Sequence, residues 1–112
     1  MTNQWKAICQ VADVPRLGAR VVTRPHATSI AIFKNAQDQL FALLDKCPHK
    51  GGPLSQGIVL ADRVACPLHN WTIGLQDGCA MAPDEGCTQR FKLKVENDII
   101  YLDHAELFPS VT

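Results

Sequence analysis

No excess of charge of either sign marks this chain. Its 112 residues carry 11 basic and 11 acidic side chains, so the formal net charge is zero. A neutral balance offers no field for a polyanion, and it argues against nucleic acid or an anionic membrane surface as the partner. No apolar run is long enough to span a bilayer, and the N-terminus does not read as a secretory leader. Together these two absences point to the cytoplasm. No segment keeps a helical apolar stripe over several turns, and there are no repeats or low-complexity stretches. What remains has the length of one domain with a modest core, residues 1–112.

What is present is a pair of mixed ligand motifs. The first reads Cys47-Pro48-His49-Lys50-Gly51-Gly52-Pro53-Leu54, and the second Cys66-Pro67-Leu68-His69-Asn70-Trp71. Each offers one thiolate and one imidazole, as Cys-x-His and Cys-x-x-His. Such a set can hold a two-iron, two-sulfide cluster, with Cys47 and Cys66 on one iron and His49 and His69 on the other. Soft thiolates suit sulfide-bridged iron, and imidazole suits iron as well. Two thiolates neutralise the two positive charges of the oxidised core, where four would leave it doubly negative. An electron then enters a less negative centre, and the potential rises. Pro48 and Pro67 hold the preceding cysteines towards extended backbone and bring no competing N–H. Gly51 and Gly52 allow a sharp turn close to the cluster, where nearby N–H groups can donate to the sulfurs. Zinc accepts the same four ligands, but finger spacing usually pairs cysteine with cysteine and histidine with histidine. Four unrelated residues are the plainer alternative.

Short strands make up the rest. Residues 4–9, 19–22, 28–33 and 39–45 read as strands, the last delivering the chain to Cys47. Residues 58–60, 62–66 and 71–75 follow, so both ligand loops are expected to cap neighbouring hairpins. Arg90 to Val95 alternates, Asn97-Asp98 offers a turn, and Ile99 to Leu102 returns. A two-residue turn places Val95 opposite Ile100 and Leu93 opposite Leu102. Phe91, Leu93, Val95, Ile100 and Leu102 are then expected on the buried face. Of the five cysteines, Cys9, Cys79 and Cys87 lie outside the motifs. In a reducing compartment they read as free thiols, with a Cys79–Cys87 disulfide as the alternative. His26 and His104 read as ordinary surface or turn histidines, Trp5 and Trp71 as packing aromatics. The tail from His104 shows no role.

The double loop resembles the Rieske family at all four ligand positions. The resemblance implies an all-β, Rieske-type fold: a small antiparallel β-sandwich with a two-loop cluster-binding subdomain, its loops at about 46–55 and 65–72. It implies a [2Fe-2S] cluster on Cys47, His49, Cys66 and His69, and a proline-containing loop around Pro83 that shields it; the alternative for Met81 to Gly86 is a plain surface loop. Over nearly the whole chain the pattern is similar to the small subunit of assimilatory NAD(P)H-dependent nitrite reductase. Trp5-Lys6, the two ligand motifs, Gly57-Ile58-Val59, and Pro83-Asp84-Glu85-Gly86-Cys87 carry this likeness. Asn70-Trp71 and the Asp84–Cys87 run favour that branch in particular. The partner would be a large flavin and sirohaem subunit that takes nitrite to ammonium in nitrate assimilation. This chain would carry electrons, with no catalytic residue or substrate site of its own. Lys50, Leu54, Leu68 and Asn70 are the candidate docking patch around the histidines, with packing of the two loops together as the alternative for Leu54 and Leu68. The alternative is a free Rieske ferredoxin serving an aromatic-ring-hydroxylating dioxygenase; a third reading is a cluster-free interaction module.

Overall fold

Every residue from Ile30 to Phe33 is apolar, so a strand here needs cover on both faces. The computed structural model describes residues 4–25, 27–48, 51–67, 71–82 and 85–107, and this run lies at its centre. The strands are β1 (Trp5–Gln10), β2 (Gly18–Arg24), β3 (Ala27–Lys34), β4 (Leu40–Leu44), β5 (Ile58–Leu60), β6 (Arg63–Ala65), β7 (Thr72–Gly74), β8 (Arg90–Phe91), β9 (Leu93–Glu96) and β10 (Ile99–Asp103). A single helical turn, α1 (His104–Leu107), follows. They form three sheets, ordered β1-β10-β9, β2-β3-β4-β8 and β5-β6-β7, and every pairing is antiparallel. The all-β, antiparallel architecture expected from the sequence is what the chain adopts.

Strand alternation divides the core in two. Ile30 and Ile32 on β3 meet Ala42, Phe91, Ile100 and Leu102 on one side of the central sheet. Ala31 and Phe33 meet Leu43, Leu54, Val64, Ile73 and Leu75 on the other. The four residues Ile30–Phe33 are fully buried. The third sheet is thus seated on a covered face, and it carries the second ligand loop. A buried polar side chain fixes its position further. Asn35 Nδ2 donates to Gln39 Oε1 at 2.8 Å and to Asp62 Oδ1 at 2.9 Å. Its Oδ1 accepts from the amides of Gln37 and Gln39. Asn35 therefore ties the turn after β3 to the turn between β5 and β6, with its polar atoms satisfied as burial demands.

The β9–β10 register is the expected one, with Val95 opposite Ile100 and Leu93 opposite Leu102. Val95 itself departs from expectation, being 46% exposed. β9 is the outer strand, and the buried cluster reaches Leu93 but stops short of Val95. On the opposite face, the Lys94 ammonium lies 5.3 Å from the ring centroids of both Trp5 and Tyr101, a cation–π arrangement. The start of the tail also has a place. Asp103 Oδ1 accepts the Ala105 amide at 2.9 Å and opens α1. Leu107 enters the core, and Arg24 Nη1 donates to the Glu106 carbonyl at 2.9 Å. Residues 108–112 lie outside the described residues.

Candidate metal centre

β4 carries the chain to Cys47, and a compact loop closes at once. The Cys47 amide donates to the Gly52 carbonyl at 2.7 Å, and the Gly51 amide to the Cys47 carbonyl at 2.9 Å. Gly51 turns through φ +75°, a conformation glycine adopts without steric cost. Two residues upstream, Asp45 clamps the far end of the loop. Its Oδ1 accepts the Ser55 amide at 2.7 Å, and its Oδ2 accepts the Ser55 hydroxyl at 2.8 Å. In the sequence this pair shows only as a carboxylate before the first cysteine and a hydroxyl after the glycines. The first loop does not cap a hairpin as expected. It leaves the central sheet, passes through a 3₁₀ turn at Leu54–Gln56 and enters β5 of the third sheet.

The second loop does cap a hairpin. β6 and β7 pair from Arg63↔Gly74 to Ala65↔Thr72, and the Cys66 amide donates to the Trp71 carbonyl at 2.7 Å. Gly57 lets the two ligand loops come together: a Cβ there would collide with the Ala65 carbonyl oxygen and sit 3.0 Å from Val64 Cγ2.

Cys47 and Cys66 are buried, at 2% and 1% exposure, and belong to one core cluster. Both stand outside the disulfide. Their companions His49 and His69 lie outside the described residues, as do Lys50, Leu68 and Asn70 of the expected docking patch. Leu54 is fully buried. It packs the cluster sheet onto the central one, so it is no docking residue. Pro83 and Asp84 also lie outside the described residues.

Cys79 and Cys87 are not free thiols as expected. They are joined by a disulfide across an isolated antiparallel bridge, with their Cα atoms 3.9 Å apart. Backbone bonds frame it, from the Ala80 amide to the Gly86 carbonyl and from the Thr88 amide to the Gly78 carbonyl, each 2.8 Å. A reducing compartment favours free thiols; the pairing follows from an isolated bridge that sets the two residues opposite each other. Cys9 is left over in the first sheet, where burial pushes its thiol pKa up.

A small all-β protein with two thiol-bearing loops converging on one buried cluster is built to hold a soft metal centre. A family model for the Rieske [2Fe-2S] domain matches residues 4–92, and the chain belongs to that family. A Rieske-type [2Fe-2S] cluster is its cofactor. The donors in view fit it: two buried thiols outside the disulfide, each on a loop that carries a histidine in sequence.

Among curated relatives, the oxygenase component of 3-ketosteroid-9-alpha-monooxygenase from Mycolicibacterium smegmatis is 37% identical over 65 residues, covering 54% of this chain. The chain spans only 17% of that relative's length. Among solved structures, a chain from the complex of reduced oxygenase and oxidised ferredoxin in carbazole 1,9a-dioxygenase is 26% identical, with a TM-score of 0.78. The match covers 87% of this chain and 99% of that one. A putative NADH-dependent nitrite reductase small subunit from Mycobacterium tuberculosis superposes with a TM-score of 0.79 at 18% identity. That match covers 91% of this chain and 96% of the other, and it speaks for the fold alone.

Proposed function

We propose that Cys47, His49, Cys66 and His69 hold the cluster, the cysteines on one iron and the histidines on the other. We read the chain, residues 1–112 as one domain, as the small electron-transfer subunit of an assimilatory, cytoplasmic NAD(P)H-dependent nitrite reductase. At the coarser level the chain is a Rieske-type electron-transfer domain. When bound, a [2Fe-2S] cluster takes up and releases single electrons. The chain's own residues supply two anionic sulfurs from buried positions, close the loops around them, and keep water from their inner side. Nitrite chemistry belongs to the large flavin and sirohaem partner.

One observation supports this branch. Gly86, from the Asp84–Cys87 run, lies against both ligand loops: a Cβ there would sit 3.4 Å from Pro48 Cβ and 4.0 Å from Trp71 Cζ3. Two of the segments that carry the resemblance thus meet beside the cluster loops. The free-ferredoxin reading rests on the 26% identity to the chain from the carbazole dioxygenase complex.

Stopped-flow mixing with a nitrite reductase large subunit and NAD(P)H, and separately with a dioxygenase and its reductase, decides between them. Rapid bleaching of the oxidised chain in the first mixture only is the expected result; transfer in the second only favours the ferredoxin. Replacing Cys47, His49, Cys66 or His69 by Ala should prevent normal cluster assembly, read as iron and acid-labile sulfide per chain. Full occupancy with an unchanged spectrum would remove that residue from the ligand set.

A further inference from the structure

The Cys79–Cys87 disulfide stands apart from the cluster ligands, yet it borders their site. Cys87 lines the same open groove as Cys47, Pro48 and Gly51. Next to it, Gly86 is the residue that approaches Pro48 and Trp71, one from each ligand-loop region. Cys79 lies beside β7: the Gly74 amide donates to its carbonyl at 2.9 Å. The disulfide therefore fastens the Glu85–Thr88 segment to the cluster sheet at the point where that segment touches both loops. Cys87 is exposed and Cys79 half-buried, so a solvent-borne thiol has a way in.

We infer that Cys79–Cys87 is a second redox site of this chain, a reducible latch that takes electrons from dithiol reductants and sets how tightly the 85–88 segment covers the cluster loops. A thiolate of the dithiol attacks the Sγ of Cys87, the exposed residue of the pair. The Cys79–Cys87 S–S bond breaks, a mixed disulfide forms, and the Cys79 thiolate leaves and takes a proton. The second thiol of the reductant, on losing its proton, attacks its own sulfur in the mixed disulfide. It releases the Cys87 thiolate, which is protonated, and the reductant departs as a disulfide. Two electrons and two protons have moved, and neither iron nor cluster sulfide takes part. Afterwards non-covalent contacts hold the segment, among them the main-chain bonds from Ala80 to Gly86 and from Thr88 to Gly78. Losing a covalent loop closure should raise its local opening by about tenfold or more.

The test uses the cluster-loaded chain and dithiothreitol. Two new thiols per chain should appear. The amide protons of Ala80 and Thr88 should exchange about tenfold faster, and a soluble iron chelator should bleach the chain faster by a similar factor. A Cys79→Ser/Cys87→Ser double variant should show the fast rates without dithiothreitol and gain nothing from it. If that variant does not fold, the native chain with and without dithiothreitol carries the comparison. A disulfide that resists dithiothreitol until the chain unfolds would overturn the inference. So would one that is reduced while exchange and bleaching stay unchanged. The bleaching readout rests on the ligand assignment above, whereas thiol count and exchange do not. A chain that binds no iron yet shows the thiol and exchange responses would sink the ligand set and leave the latch standing.

Discussion

Asp45 is the residue on which the first ligand loop leans. Its two carboxylate oxygens accept both donors of Ser55 across the loop, and hydrogen bonds to a charged acceptor are among the stronger ones. Both side chains are half-buried, so water replaces the lost partner only in part. Asp45→Ala should therefore cost about 2 kcal/mol of stability, and Ser55→Ala, which keeps the amide bond, roughly half of that. Denaturant unfolding of the two cluster-free variants measures it, and equal losses would show that the hydroxyl carries the clamp. Asp38 is a contrasting carboxylate. Arg16 Nε and Nη2 bind it in a fork at 2.9 and 2.8 Å on the exposed surface. The hydrogen bond from Arg16 is the main cause holding its pKa below the usual carboxylate range. With the folded pKa depressed, the pair's contribution is present above the unfolded value and is lost as pH falls through the folded one. Replacing Arg16 by Met should move the Asp38 titration, followed by NMR, upward towards the usual carboxylate range. The change in stability near neutral pH should be small, because exposed pairs are screened.

Elements differ in how plainly the sequence displays them. The β9–β10 hairpin was legible because two alternating runs flank a polar dipeptide, and the strands agree on which residues face inward. Alternation does not say how far the core extends, so it places Val95 there although β9, an edge strand, runs past the core. The turn itself is built at a steric cost: Asn97 and Asp98 take φ +53° and +64°, as a type I′ turn requires. Asp98→Gly removes a Cβ from the left-handed region but adds freedom to the unfolded chain. The net gain should be about 0.5 kcal/mol, or roughly 2–4 °C in Tm for a domain of this size. A calorimetric Tm that stays level or falls would mean that Asp98 earns its place through its side chain. α1 was missed for another reason: four residues are too few to show a helical period, and its start depends on the Asp103 cap and the seat of Leu107. The first ligand loop reads locally as a hairpin cap and is not one. Local patterning favours pairing between sequence neighbours, whereas β4 and β5 belong to different sheets.

At the scale of the whole molecule, the ligand motifs and the apolar run of β3 were legible because each states its need in a few adjacent residues. The layering was not, since it depends on contacts such as Asn35 to Asp62 that join turns distant in sequence. That layering bears on the midpoint potential. High-potential respiratory Rieske domains brace their two loops with a disulfide; here Gly52 and Leu68 stand at the corresponding positions. The disulfide this chain does have is elsewhere, and it pins the 85–88 segment rather than joining the loops. Among the described residues, three amides of the ligand loops are engaged by carbonyls. The amides of Cys47, Gly51 and Cys66 donate to the carbonyls of Gly52, Cys47 and Trp71, closing the loops. The hydroxyl donors of the second loop in high-potential domains are absent, with Asn70-Trp71 following the ligand instead. Hydrogen bonds to cluster sulfur stabilise the reduced, more negative state, so their loss lowers the potential. The midpoint should fall at the low end of the range for centres with two histidine ligands, nearer roughly −150 mV than +300 mV. Protein-film voltammetry near neutral pH reads it directly, and a midpoint well above zero would mean that other groups supply the donors these loops withhold.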